Sequence, residues 1–254
     1  HGYVFLCDPS SSTLQPPQIL PDLGRFKHEA AAVDVLQQVT YLTEDHARGL
    51  VYRHVPHAPN RPFSGSLFAL KLATSKQQQL STGLVIGDSF EVEWVPITDP
   101  AAVHDPTRVQ GARQGAAQFS RGEGMWYHNN AVFISSTDGG PDSLGQIFRL
   151  DIDRTGHSDQ LTLIAQSESR KTFDSPDNLT VSPTGQLFIA EDGSAPNLIR
   201  VMDHNNKVVP FARNALNDGS SEFAGICFSP DGHLLFANLQ KEGLTVAISG
   251  PFLS

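Results

Sequence analysis

The chain has 254 residues, 27 acidic and 18 basic side chains, and a formal charge of −9. Apolar residues at 39% and charged residues at 18% describe a globular chain long enough to bury a sizeable core. The acidic balance argues against a nucleic-acid partner and leaves room for cations, and no run approaches the roughly 18 apolar residues of a membrane span.

Helical periodicity is scarce. Short runs of Val, Ile, Leu, Phe and Tyr alternate with Gly, Pro, Asp and Asn turns, which predicts an all-β protein. The first run, 1–5, resembles the third strand of a repeat that follows it four times. The first unit covers 27–31, 39–45 and 50–53, and the second 121–124, 131–138 and 146–149. The third covers 177–181, 186–192 and 197–200, and the fourth 222–225, 234–240 and 244–246. Each reads acid, strand, turn, strand, polar loop, strand. The turns are legible as Ser182-Pro183-Thr184-Gly185 and Ser229-Pro230-Asp231-Gly232, where Pro presets φ and Gly takes a conformation other residues resist. Outer strands follow at 65–71 and 161–164. Units of three to four antiparallel strands predict propeller blades, with a β-sandwich as the competing architecture. The expectation is one β-propeller domain over 1–254. Its first blade is incomplete, and the repeat is broken at 72–118 by a partial strand (90–97) and a long polar loop between blades.

Two cysteines, Cys7 and Cys227, form neither a disulfide framework nor a zinc-ligand spacing. Two buried apolar thiols are expected. No charged-then-apolar leader is visible, so the chain shows no signal peptide.

The acids that open the units are Glu29, Glu123, Asp177 and Glu222. The second strands end at Asp45, Asp138, Asp192 and Gln240, which are 16, 15, 15 and 18 residues further on. Antiparallel return brings both sets to one face of a propeller, with the opening acids nearest the channel. Converging carboxylates disfavour one another's ionisation, and a polyvalent cation resolves that conflict. All-oxygen donors favour a hard cation such as Ca²⁺ over Zn²⁺. Solvated acids that cap backbone N–H groups are the alternative. Arg121, two residues before Glu123, suits an anion held against the metal or an ion pair with a neighbouring acid. Arg53, Arg149 and Arg200 recur at third strands, as structural ion pairs would. His28 adjoins Glu29 in a surface or supporting role. No His-Glu-x-x-His, Gly-x-Ser-x-Gly or phosphate-binding glycine loop occurs.

At these positions the chain resembles the PhoX-type alkaline phosphatases, calcium-dependent propellers of about six blades. The matching stretches are Gly24-Arg25-Phe26-Lys27-His28-Glu29-Ala30, Tyr41-Leu42-Thr43-Glu44-Asp45, Phe119-Ser120-Arg121-Gly122-Glu123-Gly124, Pro176-Asp177-Asn178-Leu179, Glu222-Phe223-Ala224-Gly225 and Phe228-Ser229-Pro230-Asp231-Gly232, with Gly250-Pro251-Phe252 fitting the end. The resemblance implies a metal-dependent phosphomonoesterase of the periplasm or extracellular space. It would be monomeric, act on small phosphorylated substrates, and use Ca²⁺ together with Fe³⁺. By motif, Glu29, Asp45, Glu123, Asp177 and Glu222 would ligate metal. Arg121 and Glu123 would act in catalysis, Arg121 holding the substrate phosphate. The family carries a Cys-Glu-Glu segment before the strand matched by 1–3, including an iron-ligating cysteine. Cys7 does not match it. The competing functions are a calcium-dependent lactonase propeller and a non-catalytic binding propeller stabilised by calcium.

Overall fold

The computed structural model describes residues 2–74 and 78–252. Strand β1 (Val4–Leu6) pairs antiparallel with β2 (Gln18–Leu20), and a 3-10 turn, Pro21–Leu23, follows. His1, the first residue of the sequence-predicted opening strand, lies outside the described residues.

After this two-stranded sheet, the first full blade is an antiparallel meander of β3 (His28–Asp34), β4 (Val39–Glu44), β5 (Gly49–Pro56) and β6 (Gly65–Leu72). The break in the repeat then holds more than a loop. It carries β7 (Ser89–Ile97), a short helix α1 (Thr107–Arg113) and β8 (Gln118–Phe119). The second blade is β9 (Gly122–His128), β10 (Ala131–Ser136), β11 (Gln146–Asp151) and β12 (Asp159–Gln166). The third is β13 (Pro176–Val181), β14 (Leu187–Glu191), β15 (Leu198–Met202) and β16 (Val208–Arg213). The fourth, among the described residues, is the three-stranded sheet β17 (Phe223–Phe228), β18 (Leu234–Leu239) and β19 (Leu244–Ser249).

Strands β3, β9, β13 and β17 pack against one another in that order and form the inner row. The architecture is a β-propeller. Its cores are the spaces between blades. Tyr41, Val51 and Leu70 of the first blade meet Val132, Ile134 and Phe148 of the second. Ile147 and Ile164 meet Leu179 and Ile189 at the next space, and Phe188 and Ile199 meet Phe223 and Leu235 at the third. The outer face of the first blade is covered by Leu20, Leu23 and Phe26. Strand alternation places one side-chain set against each neighbouring blade, so buried residues dominate on both faces of the middle blades.

The sequence-predicted turns form as expected. The amide of Gly185 donates to the Ser182 carbonyl at 2.9 Å and that of Gly232 to the Ser229 carbonyl at 2.8 Å. Their φ values are +88° and +73°. Strand β7 is longer than the partial strand expected. Ser89–Val92 pairs with β12 of the second blade and Val92–Ile97 with β6 of the first, so one strand stitches two blades into a continuous sheet. The cysteines depart from expectation. Both are free, Cys7 is exposed and Cys227 half-buried. Cys7 follows β1 at the start of a polar loop, and Cys227 lies in β17 of the terminal sheet.

Candidate metal centre

Each innermost strand carries the same irregularity. Between His28 and Ala31, Gly122 and Met125, Pro176 and Leu179, and Ala224 and Cys227, three residue steps oppose two on the partner strand. Such a bulge turns a side chain out of the regular alternation. In the first three blades the residue beside it is the opening acid: Glu29, Glu123 or Asp177. The bulges also lock blade to blade. Thr43 Oγ1 accepts from the amide of Ala30 at 3.0 Å and donates to the carbonyl of Glu123 in the next blade at 2.6 Å. Ser135 Oγ donates to the carbonyl of Asp177 at 2.7 Å, and Asn178 Oδ1 accepts from the amide of Ile226 at 2.9 Å. A Cβ on Gly124 would stand 2.3 Å from the Asp177 carbonyl oxygen, so only glycine permits this approach of β9 to β13.

The acids therefore converge. One carboxylate oxygen each from Glu29, Asp45 and Glu123 lies within 4.8 Å of the others. Asp45 and Glu123 are buried and Glu29 is exposed. Asp177 extends the group, with electrostatic contact to Glu29 and a hydrogen bond shared with Glu123. Glu222 shares a hydrogen bond with Asp192 and feels Asp177 and Glu29. All five sequence-predicted metal residues thus stand in one electrostatic group, joined by Asp192. Asp138 sits at its margin, 3.6 Å from Arg121 Nη1, and Gln240 is exposed.

Burial, with repulsion from Asp177, Asp45 and Glu29, pushes the Glu123 carboxyl up to about 9. Burial and the negative neighbours Glu29 and Asp192 push Asp177 up to about 6. Burial, followed by Asp192, pushes Glu222 up to about 7. Glu29 is raised for the same kind of reason. Asp45 goes the other way. Burial would raise it, but hydrogen bonds from Lys27 and Arg121 outweigh that and hold it below the usual range.

Arg121 threads the group. Its Nε donates to Asp45 Oδ1 at 2.9 Å and its Nη2 to Glu123 Oε1 at 2.8 Å, while the side chain stays 38% exposed. Its φ is +52°, in the left-handed region that a residue with a Cβ resists. Two backbone bonds hold it there: its amide donates to the His46 carbonyl and its carbonyl accepts from the Thr137 amide, both at 3.0 Å. Strain of this kind costs about 1–3 kcal/mol and persists where surrounding structure over-determines it. Lys27 forms an ion pair with Asp45. It lay in a quoted motif, but nothing in the sequence pairs it with an acid 18 positions away. Thr43 and Ser135 were equally hidden, because their role is contact with the next blade. Asp192 was visible as a strand-end acid.

Elsewhere the recurring arginines are in ion pairs. Arg53 meets Asp159 at 3.6 Å, Arg149 meets Asp151 at 2.5 Å and Arg200 meets Glu191 at 2.7 Å. His28 stacks on Phe26 with ring centroids 3.7 Å apart and contacts the Gly24 carbonyl through Nε2.

The fold and site define a β-propeller with a carboxylate-lined inner row. The alkaline phosphatase PhoX family matches residues 1–243, and the chain belongs to that family. Among solved structures, Pseudomonas fluorescens PhoX in complex with vanadate, a transition-state analogue, superposes with a TM-score of 0.72 at 22% identity. The match covers 93% of this chain and 52% of that one, so the chain spans about half the length of the relative. Virginiamycin B lyase from Staphylococcus aureus matches at 13% identity over 91% of this chain and 71% of that one, with a TM-score of 0.40. No match was found among curated proteins. No helix of the described residues is long and apolar enough to cross a membrane.

Proposed function

We propose that this chain provides the acidic centre of a metal-dependent phosphomonoesterase, with Glu29, Asp45, Glu123, Asp177 and Glu222 as cation ligands and small phosphorylated compounds as substrates. The observation that carries the proposal is the meeting of Glu29 and Glu123, on bulges of adjoining blades, with Asp45 at the end of β4, all within 4.8 Å. Family membership supports the reaction class.

The donor set fits a hard cation. It is all oxygen, and carboxyls held protonated for want of positive charge are the ligands such an ion would ionise. Calcium is the ion this chemistry favours. Iron is implied by the family resemblance alone, and neither described cysteine is in the cluster: Cys7 is exposed and Cys227 lies in the last sheet. A bound cation would supply Lewis-acid stabilisation of negative charge on the phosphoryl oxygens.

The chain's own residues do the rest. Arg121 presents a planar fork of donors and keeps a third of its side chain open to solvent, so its Nη groups suit two phosphoryl oxygens. The pinned backbone at Arg121 and the bonds to Asp45 and Glu123 fix its direction before substrate arrives, which lowers the ordering cost. Glu123 binds and orients Arg121 through Oε1. Secretion to the periplasm or beyond, and action as a monomer in one propeller domain over 1–254, complete the proposal by family resemblance.

The test is turnover of p-nitrophenyl phosphate and of a simple lactone by the metal-stripped chain, with and without Ca²⁺ and Fe³⁺, alongside elemental analysis. Phosphate release that requires added metal supports the proposal. Lactone hydrolysis with calcium alone, or calcium binding without turnover, would replace it with one of the two competing functions.

A further inference from the structure

Beside the acidic centre the surface changes sign. One hollow of about 410 Å³ is lined by Arg25, Phe26, Lys27, Pro106 and Arg108, among others. A second, of about 340 Å³, is lined by Arg48, Arg108, Arg113 and Gln118 with the apolar side of α1. Arg108 lines both, so the two form one groove. Lys27 ties its near end to the carboxylates through its ion pair with Asp45. Arg48 follows in the loop between β4 and β5, its amide held by His46 Nδ1 at 3.0 Å. Five of the chain's 18 basic residues thus line one groove of an acidic protein, and no Asp or Glu is among the residues lining either hollow.

The pairing of these cations suits an anion that comes and goes. Arg108 is held from below: its Nη1 donates to Glu44 Oε1 at 3.0 Å, and the buried Glu44 also accepts from the Tyr52 hydroxyl at 2.9 Å. A guanidinium carries five N–H donors, so Arg108 is fixed in place with most of them unspent. Arg113 pairs with Asp105 at 2.5 Å, but both side chains are exposed, at 63% and 41%. An exposed pair of that kind is readily exchanged for a new partner. Arg48 is exposed and has no acidic partner among the described residues.

We propose that this groove is a second anion site, which takes the non-reacting end of a phosphate ester whose alcohol portion carries another phosphate. The inference rests on the phosphomonoesterase reading for its substrate class. It goes beyond that reading in assigning Arg48, Arg108 and Arg113 to the distal phosphate and in predicting a preference for bisphosphates. Lys27 lines the nearer hollow and pairs with Asp45, which sets the groove beside the carboxylates.

Fructose 1,6-bisphosphate is the probe and fructose, which carries no phosphate, the control. Calorimetric binding to the metal-free chain, in chelator, reads the groove without turnover. The expected result is that the bisphosphate binds at least about tenfold more tightly than fructose, and that R48A/R113A removes this advantage. Both side chains are exposed, so the variant should keep the native melting temperature, which is measured alongside. In metal-loaded protein, the kcat/KM ratio of the bisphosphate to p-nitrophenyl phosphate should fall about tenfold in the same variant. Equal binding of the two sugars by the native chain, or an advantage retained by the folded variant, overturns the groove. Lack of p-nitrophenyl phosphate turnover with any metal overturns the phosphomonoesterase reading alone, because the metal-free binding arm still decides the groove.

Discussion

Replacing Glu123 with Gln separates the two halves of the metal-centre argument. The amide has the shape of a protonated carboxyl and keeps an oxygen for Arg121 Nη2. In the cation-free chain Glu123 holds a proton up to about 9, so near neutral pH the variant mimics the state already present. Its metal-free stability should change by no more than about 0.5 kcal/mol. Were Glu123 ionised beside Asp45 and Glu29, with oxygens within 4.8 Å, each pair would repel by roughly 3–4 kcal/mol at an effective dielectric of about 20. That repulsion is what a cation turns into attraction. Removing one ligand of the cluster should weaken cation affinity by about 100-fold, which is about 2.7 kcal/mol. With calcium at about 1,000 times the native dissociation constant, the native chain gains about 4.1 kcal/mol and the variant roughly 1.4. For a domain of this size the difference is about 5–11 °C in melting temperature. The assay is thermal unfolding of both proteins in chelator and in calcium, with metal content measured after dialysis. Equal calcium-induced shifts, or equal metal content, would refute the converging-carboxylate argument.

Further outcomes follow from the same geometry. The folded-state value of about 9 for Glu123 lies above its unfolded value of 4.5. The native state therefore binds the extra proton between them, and metal-free stability should fall as pH rises through that window. Asp177 and Glu222 add to the trend below about 7, and calcium affinity should rise over the same range as protons are displaced. A metal-free melting temperature that is flat from about pH 6 to pH 9 would contradict this. Arg121→Lys retains the charge but loses the fork. It should raise the inhibition constant of vanadate about tenfold or more, and an unchanged constant would remove Arg121 from phosphate binding. Arg200→Met strands the buried Glu191 carboxylate and should cost about 3–5 kcal/mol in urea unfolding. The double change with Glu191→Leu should recover much of it, and a single-variant loss under about 1 kcal/mol would show the pair is not buried in solution.

Much of the fold was legible because a blade is a local object. Strands of period two, joined by Pro-x-Gly turns, can be read one hairpin at a time, and Ser182–Gly185 and Ser229–Gly232 turn where expected. The acids were legible because three units place a strand-end acid 15 or 16 residues after the opening acid. Other elements carry weaker marks. Helix α1 has only seven residues, too few to show a helical period. Strand β16 contains Pro210, which suits an edge position but blurs a strand pattern. Strand β7 looked partial because its two halves serve different blades. The burial of Cys7 was misjudged because a thiol in a polar loop finds no apolar neighbour.

Residue types and their spacing were enough to determine an acidic repeat protein with carboxylates at the inner ends of its strands, since period, turn chemistry and charge act over a few residues. How those acids are used was decided by contacts that sequence distance conceals. The bulges that aim Glu29, Glu123 and Asp177 are held by Thr43 and Ser135 reaching across blade boundaries. Arg121 and Lys27 meet Asp45 from positions 76 and 18 residues away. Protonation follows the sum of burial and all nearby charge, and that sum exists only once the blades have packed.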